Sequence, residues 1–172
     1  MRRIFTVLAV VGMLAVTVLP AGAGRGGSDL GKLRGATAQF HQIDKAEAAG
    51  YHLGFAEGLA LDHCISHPTL GAMGFHYFNQ ELINDTVVDP LRPEAMVYAP
   101  GPNGQLQLAA VEWVVPIALW VEAGNSVDDP PVLLGHEMHI LNPAVGFIIH
   151  AWVWKHNPSG MFQDWNPEVV CD

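Results

Sequence analysis

The chain has 172 residues, half of them apolar, with five Trp and seven Phe. That length and that supply of large apolar side chains suit one folded domain and exclude a disordered chain. Eight Lys and Arg against seventeen Asp and Glu give a formal charge of −9, which excludes a nucleic-acid binder working through a basic face.

At the N-terminus, Arg2 and Arg3 precede an uncharged apolar stretch from Ile4 to Leu19, followed by Ala21-Gly22-Ala23 in the small-x-small pattern of a cleavage site. Residues 1–23 are therefore expected to be a signal peptide, and the protein to be exported, either secreted or periplasmic. The apolar run, about 16 residues, is shorter than the roughly 20 of a spanning helix, so no stable membrane anchor is expected. Arg-Arg-Ile-Phe partly matches a twin-arginine signal. Cleavage removes two arginines and no acid, leaving a charge of −11 that suits solubility and repels polyanions.

Five glycines make residues 24–36 read as a flexible leader. Residues 37–172 then read as a single α+β domain, an N-terminal helix followed by an antiparallel sheet, curled or barrel-like. The helix runs from Thr37 to about Gly50, with Phe40, Ile43 and Ala46 at helical spacing. His41 and His52 would stand on its polar side about 16 Å apart, too far to share one metal. Met73–Asn79 is the next candidate strand, and Asn84–Pro93 an acidic loop. Ala95–Ala99 and Gln105–Val115 flank Pro-Gly-Pro-Asn-Gly, a hairpin turn. Pro116 opens a short helix to Ala123, closed by Gly124. After Asp128-Asp129-Pro130-Pro131, Val132–Leu141 and Gly146–Lys155 form a second hairpin around Asn142–Val145. The tail from Asn157 has two Asn-Pro turns and Phe162 and Trp165 to pack.

Two cysteines, Cys64 and Cys171, survive cleavage. In an exported chain such a pair implies a disulfide, worth about 4–5 kcal/mol in the chain-entropy model for so long a loop. The rival readings are a metal knuckle of Cys64 with His63 and His67, or a reactive thiol.

Several segments carry a resemblance: Gly71-Ala72-Met73-Gly74-Phe75-His76-Tyr77, Pro93–Tyr98, Ala110–Pro116, and His150-Ala151-Trp152-Val153-Trp154 followed by Asn157-Pro158-Ser159-Gly160 and Asp164-Trp165-Asn166-Pro167. Together they resemble a group of exported bacterial proteins of unassigned function. The resemblance spans about Thr37 to Cys171. It implies an autonomous exported unit and no particular chemistry.

Nine histidines are present, and His76, His136, His139 and His150 fall within predicted strands, where an imidazole needs a partner. The second hairpin sets their neighbours. An even loop places Glu137 opposite His150 and His139 opposite Ile148, so that Glu137, His139 and His150 share a face. A three-residue loop places His136 opposite His150 instead. The even loop is the commoner form and is preferred. Glu112 interrupts an apolar face of its strand, where a carboxylate must pair, protonate or coordinate a metal. His76, Glu112, Glu137, His139 and His150, with His136 as the alternative, are thus the candidate ligands of a transition metal. Imidazole and carboxylate suit Zn, Cu, Fe or Mn. Asp164 and Glu168 read as turn and surface residues.

His136-Glu137-Met138-His139 is not a zinc-protease motif, because its histidines are three apart rather than four. Neither a Walker loop nor a Gly-x-Ser-x-Gly elbow is present. Asn84-Asp85-Thr86 fits a glycosylation sequon by chance. Trp152 and Trp154 share the His150 face and would wall a pocket for an apolar or sugar-like ligand. The expected function is an exported metal-binding protein, with metalloenzyme activity as its extension. The alternative is a metal-free ligand-binding or structural module with a Trp-lined groove.

Overall fold

In a computed structural model of the chain, residues 25–54 and 61–171 are described, and the expected signal peptide lies outside them. The helices are α1 (Arg25–Thr37), α2 (Ile43–Ala48), α3 (Gln80–Ile83) and α4 (Ile117–Glu122). The strands are β1 (Tyr51–Leu53), β2 (Ile65–His67), β3 (Gly71–Asn79), β4 (Ala95–Pro100), β5 (Leu106–Val115), β6 (Val132–Leu133), β7 (His136–Glu137), β8 (His139–Ile140) and β9 (Phe147–Ala151). Seven of them form one antiparallel sheet in the order β1-β3-β4-β5-β9-β8, with β2 also paired to β3. β6 and β7 pair separately. The mixture of helices and antiparallel sheet matches expectation. A closed barrel does not form among the described residues, because β1 and β8 end the sheet without meeting.

β4, β5 and β9 are buried on both faces, which is why their sequences read as nearly continuous apolar runs. One face carries Tyr77, Met96, Tyr98, Val111, Trp113, Phe147 and Ile149. Leu33, Phe40 and Ala46 from the N-terminal segment pack into the same cluster. The expected flexible leader is therefore corrected to helix α1. Interior glycines cost a helix roughly 1 kcal/mol each relative to alanine, and complete burial of Leu33 offsets part of that. Two contacts hold the end of α1: Thr37 Oγ1 donates to the Leu33 carbonyl at 2.8 Å, and Arg34 Nε donates to the Val153 carbonyl at 2.7 Å. The expected helix from Thr37 to Gly50 is instead a 3-10 turn, Ala38–His41, and α2, separated by the extended residue Gln42.

The opposite face carries a smaller cluster of Phe78, Ala95, Val114, Val145 and Ile148. The C-terminal tail is tied to β3 by reciprocal hydrogen bonds of 3.1 Å between the backbones of Ala72 and Asn166. Gly71 makes this approach feasible: at its φ of +95° a Cβ would lie 2.2 Å from the Asn166 carbonyl oxygen. Cys64 and Cys171 form a disulfide, which fastens the tail and sets aside the knuckle and free-thiol readings.

The second hairpin departs from expectation in its first arm. Leu134 and Gly135 both have positive φ, 52° and 83°, and make a two-residue turn that pairs Leu133 with His136 and Val132 with Glu137. The expected strand Val132–Leu141 is thus folded back on itself. Only His139 and Ile140 pair with β9, in the register of the even loop, His139 opposite Ile148.

Candidate metal centre

His76 on β3, Glu112 on β5 and His150 on β9 project from the same sheet face. Glu112 stands directly opposite His150, and Ala95 opposite Glu112 on its other side. β3 and β9 are three strand spacings apart, roughly 14 Å across a flat sheet. The positions between them on this face are Ala95, Val97 and Ala110, none larger than valine, which leaves room for the two imidazoles to meet. Their planes are nearly perpendicular, at 83°, and His76 stacks on Phe78 at 17°.

The donor atoms converge. His76 Nε2 lies 3.2 Å from His150 Nε2, and the Glu112 oxygens lie 3.6 Å from His76 Nε2 (Oε2) and 3.7 Å from His150 Nε2 (Oε1). Metal bonds of about 2.0–2.2 Å place neighbouring donors roughly 3–4 Å apart, so this triangle has the size of a coordination shell. All three side chains are buried, with side-chain exposures of 2%, 4% and 0% for His76, Glu112 and His150. Glu112 Oε2 has no hydrogen-bond partner. A buried carboxylate oxygen left this way is costly unless a proton or a cation reaches it.

Asp164, in the tail, completes the arrangement. Its Oδ1 lies 3.1 Å from His150 Nδ1 and its Oδ2 2.8 Å from His139 Nε2. A carboxylate at Nδ1 holds the proton on that nitrogen and leaves Nε2 as a lone pair facing His76 and Glu112. Two ring nitrogens 3.2 Å apart then need a proton or a metal ion between them.

Burial dominates the electrostatics. It lowers His76 to about 3, helped by the neighbouring His150 and opposed by the Gly74 carbonyl, so His76 stays neutral. Burial raises Glu112 to about 7; His150 opposes the rise and Asp164 adds to it. For His150, burial favours the neutral ring, but the Glu112 and Asp164 carboxylates outweigh it and raise the pKa above its usual value. Burial also works against the Asp164 charge, yet its hydrogen bonds to His139 and His150 hold it well below the usual carboxylate range. The bond to Asp164 raises His139.

The structure thus brings together His76, Glu112 and His150 from the sequence candidates. His139 approaches through Asp164 and is half exposed, so it stands outside the donor triangle. Glu137 is a correction: the Leu134-Gly135 turn carries it away from β9 to an exposed position opposite Val132. His136, the alternative ligand, is exposed as well, with its ring 4.0 Å from that of Phe162. Trp152 and Trp154 are also corrected as walls of the histidine pocket. β9 ends at Ala151, where Val153 N–H donates back to the Ala151 carbonyl at 2.9 Å. Trp152 packs on the His76 face with Val97 and Ala110, whereas Trp154 packs against the opposite cluster, and neither lines the cavity beside His76 and Glu112. Both line a separate surface groove with Arg34, Lys155 and His156.

Asp164, expected as a surface turn residue, is instead only 13% exposed at its side chain. Trp165 was expected only to pack, and it lines the cavity beside His76 and Glu112. The sole sequence signal for either was their place between the two Asn-Pro turns. No family model, curated protein or solved structure matches this chain.

Proposed function

We propose that this is an exported metal-binding protein that holds a first-row transition metal on His76, Glu112 and His150, with Asp164 orienting His150 from behind. The observation that carries this reading is the buried donor triangle with an unpartnered carboxylate oxygen. Two imidazoles and one carboxylate form a donor set used for both zinc and ferrous iron, with further positions left open for water or substrate. A metalloenzyme is therefore the favoured extension of the reading. The Cys64–Cys171 disulfide supports an oxidising compartment, in keeping with the export expected from the N-terminal sequence. No helix among the described residues is long and apolar enough to cross a membrane.

Elemental analysis and calorimetry of untagged, natively purified protein test the proposal. One equivalent of metal is expected, with uptake lost in His76→Ala and His150→Ala while Cys64–Cys171 stays joined. Unchanged affinity in both variants would leave the metal-free alternative, in which the three residues form a core hydrogen-bond network.

A further inference from the structure

Among the described residues, a cavity adjoins one flank of the candidate centre. His76 and Glu112 both line a cavity of about 220 Å³, whereas His150 does not. The other walls include Ile65, Met73, Phe78, Val145, Ile148 and Trp165 and are almost wholly apolar. A dry cavity of about 150 Å³ accommodates a benzene molecule, so this one has room for a ring and a few further heavy atoms. Its walls match an apolar body. Glu112, whose buried Oε2 has no hydrogen-bond partner, is among its lining residues.

We propose that this cavity binds a small monocarboxylate with a ring-sized apolar body, the carboxylate completing the coordination of the metal and the ring lying against Trp165 and Phe78. This inference rests on the metal reading above. Within the donor triangle a dication meets one carboxylate, Glu112, so a monoanion in an open position neutralises the shell in surroundings too apolar to hold a net charge cheaply. An apolar molecule without such a head satisfies the walls but not the metal. A dicarboxylate brings a second charge into a cavity whose further walls cannot solvate it. Ligand size, one acidic head and an apolar body thus follow from three separate features of the site.

The test uses the full mature protein loaded with cobalt(II), whose visible spectrum reports a change of ligand at the metal. Benzoate and phenylacetate are expected to shift that spectrum to saturation at one equivalent and to change Trp fluorescence, while toluene leaves the cobalt bands unmoved. Ile65→Phe and Val145→Phe, which fill the cavity from two different segments, are each expected to weaken benzoate binding about tenfold or more and to leave cobalt affinity within about twofold. Failure to bind cobalt at all overturns the metal reading and this inference with it. Cobalt binding with a spectrum indifferent to both carboxylates, or benzoate binding unchanged in both filled variants, overturns the cavity inference alone.

Discussion

His150 Nδ1 lies 3.1 Å from Asp164 Oδ1, and this one contact decides which nitrogen of a fully buried ring faces Glu112 and His76. Without the carboxylate, the proton could sit on either nitrogen and the ring could turn. Asp164→Asn keeps the size of the side chain and removes the charge. It is expected to weaken metal binding by about 10–100-fold while leaving all three donors in place. Titration with zinc measures this, and an affinity equal to that of the unaltered protein would show that Asp164 does not orient the ring.

Metal affinity is expected to rise with pH through neutrality. His150 has a raised pKa, so the metal-free site keeps a proton there at slightly acid pH that an incoming cation must displace. Glu112, raised to about 7, adds to the competition in the same direction. His76 does not, because a ring lowered to about 3 is already neutral. Calorimetry in two buffers of different ionisation enthalpy should detect proton release near neutral pH that fades in alkaline solution. Binding that strengthens on acidification contradicts the assignment.

The centre was legible where strand alternation made it so. Glu112 stood out as an ionisable residue within an apolar run, and His76 and His150 lay at inward positions of their strands. The pairing of His139 with Ile148 followed from loop parity. Glu137 was lost because Leu134-Gly135 does not resemble the Asn-Gly pairs that usually mark a two-residue turn. Asp164 and Trp165 belong to an irregular tail with no periodicity to read. What positions them is the long-range bridge between Ala72 and Asn166, together with the cross-link at Cys171. Neither the side of the sheet reached by the tail nor the end of β9 at Ala151 is encoded in local spacing, and neither Trp152 nor Trp154 lines the cavity beside His76 and Glu112.

Reduction of Cys64–Cys171 is expected to destabilise the protein substantially. The bridge closes a separation of 107 residues, for which the chain-entropy model gives about 4–5 kcal/mol. Urea unfolding of the Cys64→Ser/Cys171→Ser double variant against the oxidised protein measures it. A difference below about 1 kcal/mol would mean that the tail is held by its other contacts.

Glu94 contributes a pH dependence of its own. Burial raises it to about 8 against the hydrogen bond from the Val114 N–H, with Asp85 and Glu112 adding to the rise. The native state therefore keeps a proton that the unfolded chain has released, and stability falls as pH rises between the ordinary value of 4.5 and about 8. Glu94→Gln preserves a neutral acceptor for Val114 and should flatten much of that decline, leaving the part due to Glu112. Asp164, held low, acts the other way, with its contribution lost only as pH falls below the ordinary carboxylate range. Unfolding free energies near pH 5 and near pH 8.5 separate the variants, and an unaltered slope in Glu94→Gln removes Glu94 from the account.

Glu112 allows the sharpest distinction between a ligand and a structural residue, because the two roles predict opposite signs. If Glu112 serves the fold, its carboxylate is satisfied by His76 and His150, and removing it leaves their ring nitrogens stranded. If it serves a metal, the metal-free protein carries a buried acid with an unpartnered oxygen. An ionised carboxylate buried without a partner is costly to the fold, so an apolar residue of similar volume relieves that cost, whereas removing one member of a buried ion pair destabilises by about 3–5 kcal/mol. Glu112→Met is accordingly expected to match or exceed the stability of the metal-free protein at mildly alkaline pH, where the native carboxylate is ionised. The same substitution should remove the stabilisation that added zinc gives the unaltered protein. Thermal unfolding of both proteins, with chelator and with zinc, provides the four values. A metal-free Glu112→Met protein clearly less stable than its parent would identify Glu112 as part of a structural network and would count against a metal at this centre.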